Sequence, residues 1–504
     1  MTRAWLALCI VMGVGVGLFD RAPAWAQVSA AEVQAIKDEI QKLTDRLMRL
    51  EQSARPTAAA APAAPAGPAA AMQPPAVAPA PGEREIDMER EHIFETVGLP
   101  KPEVGGVKFG GFFVGSFSYN SHVQMVPEFA GGAQALADPG RSNFRFNKFG
   151  FGVSKSFAAW LSAGAAIEVE SHRDAHSHLI AAGDADRRGC PAGQACERFG
   201  AETPTTEVVL DKFNVTGIVP IGNGLSVSLA RFDLPFGIER HDESLNLTAT
   251  TSEVFQFGRP QKGTGLVLAY QFLPELDVTG WMVNRWENET THDPFDDNNA
   301  GKTFGGRLGF TPFARDSLLN FGIGGSFGPE RANTESAERW IIDADVTWSP
   351  TPRLLFAGEI VYGGEERVFS RQVGRPIAMA ARDDDRTWLG FYLLTHYDLN
   401  EWMGLTFRYG WFDDMDGART GTEQILQSFT LAPIVHLSRL IPNLKPTGVT
   451  YARTRHFIDW LDVKLEYRLN HSNRNVFSDA KPGVAILEAE DISHQLQLQL
   501  VVNF

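Results

Sequence analysis

The side chains in this sequence that could do chemistry recur at every second position of extended segments. In WLDVKLEYRL, Asp462, Lys464, Glu466 and Arg468 alternate with Leu461, Val463, Leu465 and Tyr467. In RWIIDADVTW, Asp343 and Asp345 alternate with Ile342, Ala344, Val346 and Trp348, and in EWMGLTFRYGW Arg408 and Thr406 oppose Met403, Leu405, Phe407, Tyr409 and Trp411. Lys148, Glu168, Glu170, Arg307 and Glu359 occupy comparable places in other segments. A strand sends successive side chains to opposite faces, so each segment has one charged wall and one apolar wall. Rows of acids and bases of mixed sign set up a field across water. They do not amount to catalytic machinery, and no G-x-S-x-G or comparable nucleophile motif stands out.

Other clusters are weaker. The stretch 234–262 mixes Glu239, Arg240, Asp242, Glu243 and Arg259 with Leu245, Phe255 and Phe257. SHRDAHSH sets His172, His176 and His178 at a spacing that could take a transition metal, but no supporting shell is readable around them. HDPFDDNN offers Asp293, Asp296, Asp297 and Asn298 without the ordered one-three-five spacing of a calcium loop, and it reads, like RDDDR at 382–386, as a solvated acidic loop. No metal and no cofactor is expected.

The front of the chain fixes the compartment. Arg3, an apolar run from Ala4 to Leu18, and the small-x-small pattern Ala24, Trp25, Ala26 make residues 1–26 a secretory signal. Cys9 lies inside the apolar run, after Leu8, where lipoprotein processing requires a small residue. Cys190 and Cys196 remain after cleavage, and export makes a short-loop disulfide their expected state. In 27–54, Val33, Ile36, Ile40, Leu43, Leu47 and Leu50 follow steps of three and four, a coiled-coil seam of about three heptads. Glu32 with Lys37, and Arg46 with Glu51, have the spacing that pairs charges between parallel chains; the rival reading is an amphipathic helix packed on its own domain. Residues 55–92 are a Pro/Ala spacer.

From residue 93 to the end no helical period appears. Alternation and turn signals give sixteen strands, near 107–119, 143–156, 160–172, 206–218, 224–233, 263–273, 275–287, 302–312, 317–328, 338–349, 352–364, 387–398, 402–412, 422–436, 456–470 and 490–504. The last, SHQLQLQLVVNF, sets His494, Leu496, Leu498, Leu500, Val502 and Phe504 against glutamines. Every second connection is short and the others are long and polar, the asymmetry of an outer-membrane barrel rather than of a sandwich. A basic side chain turned to lipid at midplane costs about 2–4 kcal/mol, so the charged wall must meet water. The fold class expected is an all-β, antiparallel up-and-down transmembrane barrel at 93–504, preceded by a short coiled-coil helix. The connection 437–455 is long where a short one is due: an unusual turn, or a further strand pair that would make eighteen. Phase changes near Asn147 and Asp211 read as β-bulges, and Trp160, Trp281, Trp348, Trp388, Trp402 and Trp411 fall where interfacial girdles belong.

The mean hydropathy of -0.16 suits a barrel that averages a lipid face with a water face, and the net charge of -15 makes nucleic acid an unsuitable partner. SNFRFNKFGFGVSKSF, ARFDLPFGIERHDESLNLTATTSEVFQFGRPQKGTGLVLAY and DDNNAGKTFGGRLGFTP resemble the large outer-membrane porins, of the phosphate-selective porin O/P type or the related β-barrel porin-2, OmpL-like, type. A dicarboxylate-selective porin type with a periplasmic N-terminal coiled coil is also similar in layout. The resemblance implies trimers of separate pores with inward-folded loops. It also implies a basic ladder for phosphate, where the wall candidates here are of mixed sign, and Ser-Arg in the OmpL-like type, where this chain has Ser252 and Glu253.

The expectation is therefore a porin of the bacterial outer membrane, in contact with its lipid and with its coiled coil in the periplasm. It passes small hydrophilic, charged or dipolar solutes down their own gradient, and 234–262 is the constriction loop, unless that loop lies over the mouth or grips the next subunit. The alternatives are an anchor trimerised by its coiled coil, or a barrel hydrolase.

Overall fold

The computed structural model describes residues 103–104, 106–124, 141–173, 177–180, 196–199, 204–286, 297, 299–312, 319–331, 335, 337–368, 384–441, 457–478 and 489–504. The chain divides into two units, 1–77 and 78–504, and every described residue belongs to the second. The expected signal segment, coiled coil and spacer lie outside the described residues, as do Cys190 and His176.

Sixteen long strands form the wall: β1 (Val107–Asn120), β2 (Arg141–Ala158), β3 (Leu161–Arg173), β4 (Pro204–Val219), β5 (Leu225–Asp233), β6 (Lys262–Leu273), β7 (Leu276–Val283), β8 (Thr303–Phe310), β9 (Leu319–Pro329), β10 (Glu338–Thr351), β11 (Leu354–Val368), β12 (Asp384–Asn400), β13 (Met403–Asp414), β14 (Gln424–His436), β15 (Leu461–Ser472) and β16 (Ile492–Asn503). Each pairs antiparallel with the next, and β16 pairs with β1, so the sheet closes on itself and leaves no edge. The final residue completes the seam: Phe504 and Gly111 exchange two backbone hydrogen bonds of 2.8 Å.

The β14–β15 ladder begins at His436↔Asp462, so no further strand pair enters the wall between them and the count is sixteen, not eighteen. Strand β15 starts later than the sequence suggests, because Phe457, Ile458 and Asp459 are buried ahead of it. Phe457 packs against the His396 ring at 4.7 Å.

Both expected bulges are present. Against β1, the register passes from Lys148 to Phe146 and skips Asn147; against β3, it passes from Lys212 to Leu210 and skips Asp211. Each bulge buries two consecutive polar side chains, Asn147 with Lys148 and Asp211 with Lys212.

Burial is inverted relative to a water-soluble protein. Many large exposed side chains are apolar, among them Phe407, Leu465 and Leu498, and their buried strand neighbours are polar: Thr406 and Arg408, Lys464 and Glu466, Gln497 and Gln499. Such an exterior fits acyl chains, and such an interior must be satisfied by water or by other polar groups. Trp160, Trp348 and Trp402 are 60%, 45% and 38% exposed and lie at the short-turn end, whereas Trp281 and Trp388, 4% and 0% exposed, point inward and belong to no girdle. They pack on the loop described next: Trp281 meets Phe236 edge-on at 5.4 Å, and Trp388 Nε1 donates to the Gly258 carbonyl at 2.9 Å.

Candidate functional site

The 234–261 segment between β5 and β6 is buried for most of its length and reaches side chains on strands far around the barrel. Its local structure is a short 3-10 turn, Glu243–Leu245, and a π turn, Val254–Gly258. Asp242 caps the first, accepting from the Ser244 N–H at 2.9 Å. Gly237 has φ of 53°, in the left-handed region, and a Cβ there would collide with the Glu359 carboxylate. Only glycine lets the loop approach that wall so closely.

Arginines on the opposite wall hold the centre of the loop. Arg408 of β13 donates through Nη1 to Glu239 Oε1 at 2.7 Å, Thr248 Oγ1 at 2.8 Å and the Thr250 carbonyl at 2.5 Å. Arg468 of β15 pairs with Glu253 Oε1 at 2.5 Å and donates to the Thr251 carbonyl at 2.6 Å. Between them Glu466 accepts from the Ala249 N–H at 2.6 Å and the Thr250 N–H at 3.2 Å. Removing one member of such a buried pair strands the other charge, at a cost of about 3–5 kcal/mol.

The flanks are fastened as well. Glu243 accepts from Asn147 of β2 at 3.0 Å and Gln499 of β16 at 2.8 Å, and its carbonyl accepts from Lys464 at 3.0 Å. On the other side Arg259 Nε pairs with Glu359 Oε1 at 2.6 Å, and Ile238 N–H donates to the Tyr392 hydroxyl at 3.2 Å. Burial pulls the Arg259 guanidinium down, but Glu359 together with the other acidic groups around it more than offsets this and its pKa is raised. Burial pushes the Asp242 carboxyl up, against the pull of Lys212. Arg240 turns back on the loop itself, donating to the carbonyls of Phe236, Gly237 and Glu239.

The sequence candidates thus fall into three groups. Arg408, Lys464, Glu466, Arg468 and Glu359 engage the loop directly, with Glu239, Glu243 and Arg259 among their counterparts. Lys148, Glu168 and Glu170 form a second cluster, with Lys148 Nζ 3.7 Å from Glu168 and 3.5 Å from Glu170. The rest line the wall: Arg307 grips Asp345 with two hydrogen bonds of 2.8 and 3.1 Å, Asp345 stands across from Glu359, and Asp462 takes the His436 Nδ1 at 2.7 Å. Asp343 is fully buried, and neither of its carboxylate oxygens accepts a hydrogen bond. The Asp293–Asn298 group is described only at Asp297, whose carboxylate pairs with Lys302 at 2.5 Å.

Sequence reasoning missed Glu253, Tyr392, Asp211 and His241 as parts of this interior. Glu253 carried a readable signal, since it is acidic where the OmpL-like pattern is basic, and its partner Arg468 lies 215 residues away. His241 sits in the same string as Arg240 and Asp242, but nothing local shows that it faces the β3–β4 wall.

The family described as "Putative beta-barrel porin-2, OmpL-like" matches residues 182–497, more than half of the chain. No curated protein sequence matches it. Among solved structures, the chain is similar to the outer membrane channel DcaP of Acinetobacter baumannii, at 10% identity and a TM-score of 0.46, over 81% of this chain and 100% of that one. It is also similar to an anion-selective porin from Comamonas acidovorans, at 10% identity and a TM-score of 0.45 over 79% and 99% of the two chains. OprB of Pseudomonas putida follows at 12% identity and a TM-score of 0.43, over 79% and 94%. The assignment rests on the family match and on the closed barrel with its apolar exterior and polar interior: the chain belongs to the beta-barrel porin-2, OmpL-like, family of outer-membrane channel proteins.

Proposed function

We propose that this porin passes small hydrophilic, charged or dipolar solutes passively, and that the 234–261 loop is its constriction. One observation carries the reading. The loop is fastened on several strands of the inner wall at once, through Arg408–Glu239, Arg468–Glu253 and Arg259–Glu359, so a solute must pass beside it. Charges of both signs remain along that route, and a solute with separated charges gains from both. On the side away from the Arg408 and Arg468 fastenings Arg307 stands among Asp277, Asp343 and Asp345, an acidic excess that favours weak cation preference over phosphate selectivity. On this reading the short-turn end faces the periplasm, with the coiled coil joining three chains there.

Reconstitution of the full chain in a planar bilayer under unequal salt is the test. Discrete current steps with a reversal potential displaced modestly toward cations are expected. Strong anion selectivity contradicts the solute class. The rival reading, an anchor with a plugged barrel, draws on the complete coverage of Arg408, Lys464 and Gln499, and it requires that no current pass.

A further inference from the structure

The β2–β4 wall holds a second cluster, separate from the three ion pairs that fasten the loop through Arg408, Arg468 and Arg259. Glu168 of β3, Asp211 of the β4 bulge and His241 of the loop are all buried, and one ligand atom from each lies within 4.8 Å of the others. His241 Nδ1 is 3.8 Å from Glu168 Oε2 and 4.0 Å from Asp211 Oδ1. Donors sharing one ion through bonds of about 2.1 Å stand about 3–4 Å apart, so only small rotations bring these three to a common centre.

Two further observations point the same way. Glu168 Oε2 is buried between the imidazole at 3.8 Å and the Lys148 ammonium at 3.7 Å, and it accepts no hydrogen bond from either. Asp211 is present only because the bulge adds a residue to β4, which leaves its side chain buried next to that of Lys212. Two ammoniums now stand at the cluster. Lys148 Nζ is 3.3 Å from His241 Nδ1 and 3.7 Å from Glu168, and Lys262 Nζ contacts Asp211 Oδ1. Each has another carboxylate nearby: Glu170 is 3.5 Å from Lys148, and Asp233, whose Oδ2 pairs with Lys212 at 2.9 Å and whose Oδ1 accepts no hydrogen bond, stands directly across the ladder from Lys262. A metal ion can therefore displace both without stranding a charge.

We propose that Glu168, Asp211 and His241 bind one divalent cation of the manganese or zinc class, tying the inward loop to the β3–β4 wall. Two carboxylates and one imidazole suit ions of intermediate softness, with water completing the shell. The site uses none of the three histidines of the SHRDAHSH stretch, His172, His176 and His178, and its readout is bound metal rather than current.

The test uses the full chain, folded in detergent, stripped with a chelator and titrated with Mn²⁺ and with Zn²⁺. One equivalent per chain is expected to survive gel filtration, and bound Mn²⁺ is expected to show nitrogen coupling from an imidazole. His241→Ala abolishes that coupling, and His241→Ala, Glu168→Gln and Asp211→Asn each weaken binding by more than the roughly 10–100-fold that loss of an outer-shell partner costs, while a variant lacking His172, His176 and His178 binds as wild type. Lys148→Met removes a competitor and binds more tightly, so the proposal stays testable if the ligand variants fail to fold. Wild type that retains no metal, metal retained by His241→Ala and Glu168→Gln, loss in the triple-histidine variant, or unchanged affinity in Lys148→Met each overturns the site.

Discussion

The inner wall from β12 to β16 and the inner wall from β7 to β10 are built differently. The first carries long polar side chains, and Arg408, Lys464, Gln497 and Gln499 are 0% exposed because other groups cover them. The second has small residues around one ion pair, Gly309, Gly322 and Gly324 with Thr279 and Arg307 lying against Asp345, and one large inward ring, Trp281, on which Phe236 of the loop packs. A Cβ on Gly322 would run into that ion pair. A wall that must hold a loop needs donors long enough to reach it, whereas a wall beside open water needs low relief. On the proposed reading the water path runs past Arg307 and Asp345, beside the place where Phe236 rests on Trp281, and the β12–β16 wall serves as the main mount.

Substitutions that strip the mount break this contrast most severely. Arg408→Ala leaves Glu239 buried with its strongest donor gone, which should cost about 3–5 kcal/mol. Heat-induced unfolding, followed by electrophoretic mobility, should begin well below the wild-type temperature. The loop should also come loose and single-channel conductance rise several-fold.

Gly237→Ala should be milder. Its left-handed backbone and the Glu359 carboxylate oppose a side chain, at a cost of about 1–3 kcal/mol. A wild-type melting temperature for this variant contradicts the close approach of the loop to β11.

On the other wall the effect should fall more on selectivity than on stability. Arg307→Ala frees the Asp345 charge on the side assigned to water, moving the reversal potential further toward cations, while the melting temperature falls by less than in Arg408→Ala because the Arg307–Asp345 pair is the less completely buried. An unchanged reversal potential places the solute path elsewhere.

The smallest effect concerns pH. Burial raises the pKa of Glu330, just beyond β9, although Arg339 partly opposes this; the carboxyl also takes the Thr303 hydroxyl and, at 2.8 Å, the Trp286 N–H. A carboxyl with a raised folded-state pKa contributes stability that is fully present below its unfolded pKa and is lost as pH rises through the folded one. Glu330→Gln should therefore flatten that loss, seen as a shallower fall in melting temperature with rising pH from the acid side.

How far the sequence reached follows from the range of its signals. Alternation is local, so the sixteen strands were legible, and so were the bulges at Asn147 and Asp211, where the phase slips within one strand. The charged rows were legible for the same reason, because the pleat alone fixes their face. What they touch was not. Arg408 and Glu239 are 169 residues apart, and only closure of the ring brings them together. Trp281 and Trp388 illustrate the same limit: position near a strand end suggests a girdle, but the face each ring takes depends on the loop that came to lie beneath it. Phe457 was hidden for a further reason, since the strand reading beginning at 456 absorbed a segment that instead packs against His396.

The central claim, a water-filled interior narrowed by an inward loop, is tested most directly by the single-channel conductance of the full chain beside an Arg408→Ala/Arg468→Ala variant in which both central fastenings are cut. The account predicts small, discrete steps for the former and steps several times larger for the latter, provided both migrate as folded barrels. Equal conductance, or silence from both, contradicts it.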